Sequence, residues 1–275
     1  MLGALIIVFR EVVEAGLIVG ITMAVTRGVA RRGFWIGAGV AGGALGAGLV
    51  AAFVQALSSA FEGVGQELFN AAILSVAVVM LVWHNIWMAR HGKDVAVEMR
   101  GVGQAVVAGT TSLAGLAVVV GVAVLREAAE VALFLYGLAA GSESGTALIL
   151  GGVLGLGLGA LVGVVTYLGL VRIPGRYLFG ATTALLTLLA AGMAAQAVGF
   201  LEQANAVGAL GQTVWDSSDI LSDKSLVGRT LHTLVGYTDR PTAMQLVVYL
   251  ATLAGIVALT RLLGPEPPRA AQARA

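Results

Sequence analysis

Seven stretches of about 20 apolar residues recur along this chain, and they limit what it can fold into. Apolar residues make up 58% of the sequence and charged residues only 11%, whereas soluble proteins contain roughly 25% charged residues. Backbone groups in lipid must be hydrogen-bonded within the segment, so such a stretch crosses a bilayer as an α-helix. The sequence therefore predicts an all-α, polytopic membrane protein with spans at 2–25, 34–57, 68–88, 113–140, 146–171, 178–200 and 243–263.

The distribution of basic residues predicts the orientation of the chain. Cytoplasmic loops carry an excess of Lys and Arg, and most such residues here follow the first, third, fifth and seventh spans. The loops on the other side are mainly acidic. We therefore expect the N-terminus to lie outside and the C-terminus in the cytoplasm. The long loop 201–242 would lie outside, and the proline-containing tail 264–275 would be a disordered cytoplasmic segment.

The first six spans divide into two similar halves, at about 2–88 and 113–200. In each half the first span carries a charged motif, the second is rich in glycine, and the third begins with Leu-Phe. Because each half has an odd number of spans, the second half would be inverted relative to the first, as in transporters that hold their site at the midplane. The span 243–263 would be added to this repeat, and 1–263 would form one transmembrane domain.

The same Arg-Glu-x-x-Glu motif occurs in the first and fourth spans. An ionised side chain at the bilayer centre costs about 2.5–3.5 kcal/mol on insertion scales, and one Arg–Glu pair does not require a second glutamate. Residues three and four apart share a helix face, so each motif presents two carboxylates beside one guanidinium. The candidate metal ligands are Glu11, Glu14, Glu127 and Glu130, and the motif arginines are Arg10 and Arg126.

The charge of this candidate site favours a hard multivalent cation. Four glutamates contribute −4 and two arginines +2, which leaves about −2. The chain has no cysteine and only three histidines, and carboxylate oxygens prefer hard metal ions. The residues alone do not identify the metal, and we expect no permanently bound cofactor.

Five further side chains are weaker candidates for contact with a metal. Glu67 begins the third span, where a carboxylate also suits a helix N-terminus. Asp216, Asp219 and Asp223 recur at helical spacing in the outer loop, where they would form either a collecting site or a solvated surface. His84 lies near the predicted inner end of the third span, so we expect it to reach the lipid headgroups rather than to bind metal.

The two motifs, at 10–14 and 126–130, resemble those of the oxidase-dependent iron permease family of bacteria and fungi. The Gln-Glu-Leu-Phe sequence at 66–69, the Gly-Arg-x-Leu-His sequence at 228–232 and Gly-Tyr at 236–237 are also similar to bacterial members. This resemblance implies iron uptake across the cytoplasmic membrane, with Fe2+ or Fe3+ as the transported substrate. It also implies that the motif glutamates are translocation ligands and that extracytoplasmic proteins oxidise or deliver the iron.

Two other functions stay open on the sequence. A proton-coupled carrier of another hard cation or substrate would use the glutamates as a proton relay. A membrane di-iron carboxylate enzyme is less favoured, because helical bundles of that kind add Glu-x-x-His motifs and neither motif here contains histidine. We therefore predict a transporter rather than an enzyme.

Overall fold

The chain folds into α-helices in the computed structural model, which describes residues 1–60, 65–140, 144–168, 175–223 and 225–263. The helices in these ranges are α1 (Leu2–Val25), α2 (Arg32–Ala60), α3 (Gln66–Val107), α4 (Leu113–Ala140), α5 (Gly145–Tyr167), α6 (Gly175–Gln203), α7 (Leu226–Val235) and α8 (Ala243–Leu263). The all-α prediction is confirmed for this part of the chain. The predicted disordered tail, 264–275, lies outside the described residues.

Five helical segments are long and apolar enough to cross a membrane. They are Arg32–Ala60, Gln66–Trp87, Gly145–Tyr167, Thr182–Gln203 and Ala243–Leu262. Helices α1 and α4 are not among them, since each carries three charged motif residues in its middle. The structure thus supports a polytopic membrane protein, whereas the count of seven spans and the orientation of the chain stay predictions.

The helices that match a predicted span begin and end within about four residues of it, except α3 at its C-terminal end. Helices α1, α4 and α8 begin and end at the predicted residues. Helix α3 was expected to end at Met88 but continues to Val107. The added segment contains no proline, and exposed charged residues such as Glu98 and Arg100 are compatible with a helix that continues beyond its apolar part.

Each motif helix packs against the glycine-rich helix of the other half of the chain. Helix α5 lies along α1, and α2 lies along α4. A Cβ atom on Gly155 of α5 would lie only 2.6 Å from the carbonyl oxygen of Leu5, and one on Gly43 of α2 would lie 2.5 Å from that of Gly121. Only glycine permits this approach of the two backbones, so these positions set how closely α1 and α4 are held.

Two apolar cores lie on either side of the motifs. The first includes Ile7 of α1 and Phe134 of α4 together with residues of α3, α6 and α8. The second is formed by Ile36, Val106, Leu116, Val120 and Val124, with residues of α1 after its motif packed against it. In both α1 and α4, the charged motif lies between residues that pack in the first core and residues that pack in the second. Apolar packing therefore encloses the motifs at both ends.

Candidate metal centre

The charged side chains of the two motifs meet between the two cores. Glu11 and Glu14 on α1 and Glu127 and Glu130 on α4 are between 1% and 7% exposed. Helix α3 contributes His84, which is also buried. Burying charged groups is unfavourable unless they have partners. A buried cluster of four carboxylates and one imidazole is therefore unusual in a chain with so few charged residues.

Four of these side chains offer ligand atoms at a separation suited to a metal ion. One oxygen each of Glu11, Glu127 and Glu130 and a ring nitrogen of His84 all lie within 4.8 Å of one another. Two ligands on opposite sides of one ion, each about 2.1 Å away, would be roughly 4.2 Å apart. A shift of roughly half an ångström therefore suffices to surround an ion. The described residues contain no second group of this kind.

Glu14 lies beside this group, and both of its oxygens have close partners. Its Oε1 lies 2.9 Å from Nε of Arg10, and its Oε2 lies 3.3 Å from Nε2 of His84. The structure thus brings together all four glutamates that the sequence singled out. Glu11, Glu127 and Glu130 each offer one oxygen to the ligand group that contains His84. Glu14 is not part of that group, and it contacts Nε2 of His84 instead.

The two motif arginines occupy different environments although their sequence contexts match. Arg10 is buried, and its Nη1 donates to Oε1 of Glu11 at 3.3 Å while its Nε contacts Glu14. Arg126 is 40% exposed, and its Nε lies 3.3 Å from Oε1 of Glu130. Its guanidinium also stacks over the ring of Trp87, 4.5 Å from the ring centre. Arg10 therefore belongs to the buried network, and Arg126 lies at its edge.

The expected position of His84 at the lipid headgroups is wrong. His84 is 2% exposed, and its Nδ1 lies 2.7 Å from Oε2 of Glu130. With Nε2 directed to Glu14, the ring links the two motif helices. The expectation failed because His84 lies on the face of α3 that packs against α1 and α4, where its ring meets Glu14 and Glu130. The neighbouring Trp83 takes the outward position instead, with 70% of its surface exposed.

A periodic signal in α3 would have predicted the inward position of His84. Leu74, Ala77 and Leu81 are buried and precede it at spacings of three and four, which place all of them on one helix face. The next residue, Asn85, is buried as well, and neither of its amide atoms has a hydrogen-bond partner in the described part of the chain. The sequence reasoning named His84 but placed it wrongly, and it missed Asn85 and the ring of Trp87.

The weaker acidic candidates lie away from the buried site. Glu67 is in the first turn of α3, as expected for a carboxylate at a helix N-terminus. Hydrogen bonds from Ser218, together with the Arg240 guanidinium, lower the pKa of Asp216 to about 2. Asp223 and Asp239 bond reciprocally through their backbone N–H groups at 3.1 Å, and burial raises the pKa of Asp223. Asp219 is exposed, and within the described residues these outer-loop aspartates form no common ligand group.

Comparison with known proteins shows which proteins this chain is similar to. Residues 1–263 match the model of the iron permease FTR1 family. The ferrous iron permease EfeU of Yersinia pestis is 33% identical over 205 residues, which cover 74% of this chain and 71% of that protein. EfeU of Shigella flexneri is 30% identical over 206 residues, covering 74% of this chain and 86% of that protein. No solved structure matches the chain.

Proposed function

Because this chain belongs to the iron permease FTR1 family, whose members are transporters and not enzymes, we propose that it imports iron across the cytoplasmic membrane through the buried site of Glu11, Glu14, Glu127 and Glu130. The observation that carries this proposal is the convergence of buried carboxylates from both motifs on one point. Two arginines balance only part of the carboxylate charge, and a multivalent cation balances the remainder. Iron is thus the substrate of the site.

We further propose that α1 and α4 cross the membrane together with the five apolar segments, which makes seven spans with the N-terminus outside. Helices α2 and α5 support this arrangement, because they cover the motif helices and expose large apolar side chains such as Leu45, Phe53 and Leu161. Such surfaces suit lipid. The halves 2–88 and 113–200 would be inverted repeats within one domain, with the shared site at their interface.

The names of the relatives favour Fe2+ as the transported form, because those proteins are described as ferrous iron permeases. Partner proteins that oxidise or deliver iron would act on the outer side, where the loop 201–242 is predicted to lie. Its exposed carboxylates Asp216 and Asp219 would attract cations to that face.

Iron uptake into proteoliposomes tests the proposal directly. The purified chain would be reconstituted with an iron-sensitive chelator inside the vesicles, and either anaerobic Fe2+ or citrate-bound Fe3+ would be supplied outside. We expect saturable uptake of Fe2+, and none in vesicles that contain the Glu11→Gln, Glu127→Gln double variant. Absence of uptake with both oxidation states, or equal uptake by the double variant, would overturn the proposal. Proton movement without iron movement would favour the carrier of another substrate.

Replacing either motif arginine by lysine should slow transport, and the Arg10→Lys variant should lose more. Arg10 contacts two carboxylates at once, and the point charge of lysine does not reproduce the planar fork. Losing one charge-assisted hydrogen bond corresponds to about 1.5–3 kcal/mol, or a fall in uptake of about tenfold or more. Arg126 is 40% exposed and contacts one carboxylate, so Arg126→Lys should have a smaller effect. Initial rates of Fe2+ uptake measure this, and unchanged rates in both variants would show that the arginines act only as counter-charges.

A further inference from the structure

We propose that His84 is a nitrogen ligand of the transported iron and that it makes the site prefer transition-metal ions to Mg2+ and Ca2+. This inference rests on the proposed function, since it concerns the same buried site. It goes beyond the two glutamate motifs, because His84 lies on α3, outside both of them.

The distances around His84 fit a shared ion. Its Nδ1 and Oε2 of Glu130 are 2.7 Å apart, and two adjacent ligands about 2.1 Å from one ion lie roughly 3 Å apart. In the same group, Oε2 of Glu11 and Oε2 of Glu127 are buried and have no hydrogen-bond partner among the described residues. Buried carboxylate oxygens are rarely left without a partner. An ion held by these four side chains supplies one.

The contacts on the far side of the ring fix its orientation. Nε2 of His84 lies 3.3 Å from Oε2 of Glu14, whose Oε1 is held by Arg10 at 2.9 Å. Metal-bound histidines commonly donate their second ring N–H to a carboxylate, which sets the tautomer and the direction of the ligating nitrogen. Glu14 takes that role here. Nδ1 is thereby directed at the carboxylate of Glu130, which belongs to the same ligand group as Glu11 and Glu127.

A nitrogen donor changes which ions the site prefers. Carboxylate oxygens alone suit Mg2+, Ca2+ and Mn2+, whereas imidazole also suits iron, zinc, copper and nickel. Three carboxylates with one imidazole therefore bind Fe2+ in preference to Mg2+ and Ca2+. A site of glutamates alone lacks this nitrogen donor and should discriminate less against Mg2+ and Ca2+.

Pulsed electron paramagnetic resonance on the purified full-length protein tests the ligand assignment. Mn2+ serves as the probe ion, because carboxylate and imidazole donors both bind it and it is paramagnetic. We expect nitrogen coupling from one imidazole in the wild-type protein and its loss in His84→Gln. The control is His232→Gln, because the side chain of His232 bonds to Gln196 and to the carbonyl oxygen of Tyr237, away from the site.

Competition binding tests the selectivity. With Co2+ as a stable substitute for Fe2+, the ratio of Co2+ to Ca2+ affinity should fall by about tenfold or more in His84→Gln and stay unchanged in His232→Gln. If His84→Gln does not fold, 15N labelling of histidine in the His91→Gln, His232→Gln double variant still decides the question. His84 is then the one remaining histidine of the sequence, so a change in the nitrogen coupling identifies it as the ligand.

Three outcomes would overturn the inference. Mn2+ bound by the wild type without nitrogen coupling, while Glu127→Gln removes binding, would leave the carboxylate site in place and exclude His84 as a ligand. Wild-type selectivity in a folded His84→Gln would exclude its role in discrimination. Absence of metal binding by the wild type would overturn the proposed function itself and this inference with it.

Discussion

Replacing Glu11 or Glu127 by glutamine is expected to lower Fe2+ uptake by about a hundredfold or more while the protein still reaches the membrane. Each change removes one anionic oxygen from the buried group that surrounds the proposed ion. Removing one partner of a buried charged interaction costs about 3–5 kcal/mol, and 3 kcal/mol corresponds to more than a hundredfold in an equilibrium constant. Glutamine keeps the shape of the side chain, so the packing of α1 against α5 and of α4 against α2 is preserved.

Uptake of radioactive iron, normalised to the amount of protein in the membrane, measures this effect. Glu14→Gln and Glu130→Gln should also be impaired, because the first loses the carboxylate that contacts both Arg10 and His84 and the second loses a ligand. Glu98→Gln is the matched control, since Glu98 is an exposed glutamate of α3 outside the site. Wild-type uptake in two or more of the four site variants would contradict the role of these glutamates in the site.

The Glu127→Gln variant also shows whether Glu127 binds the metal or takes part in a structural ion pair. Burying a carboxylate carries a desolvation penalty, so a neutral glutamine at Glu127 should leave the thermal stability of the purified protein unchanged or higher. A structural ion pair would show the opposite, with stability and uptake falling together. Thermal unfolding in detergent, measured without metal, distinguishes the two.

Adding one methyl group at Gly43 or Gly155 is expected to destabilise the protein and to reduce uptake with it. The new Cβ would meet backbone atoms of the motif helix at 2.5 Å in the first case and 2.6 Å in the second, and backbone cannot move aside cheaply. Overpacking of this kind costs about 1–3 kcal/mol. In Gly43→Ala, α2 would move away from α4, and in Gly155→Ala, α5 would move away from α1. In both variants the carboxylates would no longer converge.

Neighbouring glycines provide controls with the opposite expected sign. A Cβ atom on Gly42 or Gly157 has nothing within 4 Å, and alanine is favoured over glycine in a helix by about 1 kcal/mol. Gly42→Ala and Gly157→Ala should therefore be neutral or stabilising, and they should transport iron normally. Thermal unfolding and Fe2+ uptake of the four variants test this together. Equal behaviour of the two pairs would show that the close approach of the helices is unimportant.

The sequence alone predicted those features that depend on local physical constraints. The ends of α1, α4 and α8 were predicted because the thickness of a bilayer sets the length of an apolar span. The four glutamates were recognised because a second carboxylate beside an Arg–Glu pair has no structural explanation in an apolar helix. The glycine-rich character of the second span in each half was also recognised, and glycines one turn apart allow two helices to approach closely.

Contacts between residues far apart in the chain were decided only by the tertiary structure. Helical periodicity shows which side chains share a face, but it does not show which helix lies opposite. The pairing of α2 with α4 and of α5 with α1, the different environments of Arg10 and Arg126, and the insertion of His84 between Glu14 and Glu130 all depend on that choice. From the sequence, the four glutamates of the two motifs were expected to form one candidate site, but the contribution of a third helix was not foreseen. The fold adds an imidazole from α3, because only packing determines which buried faces meet.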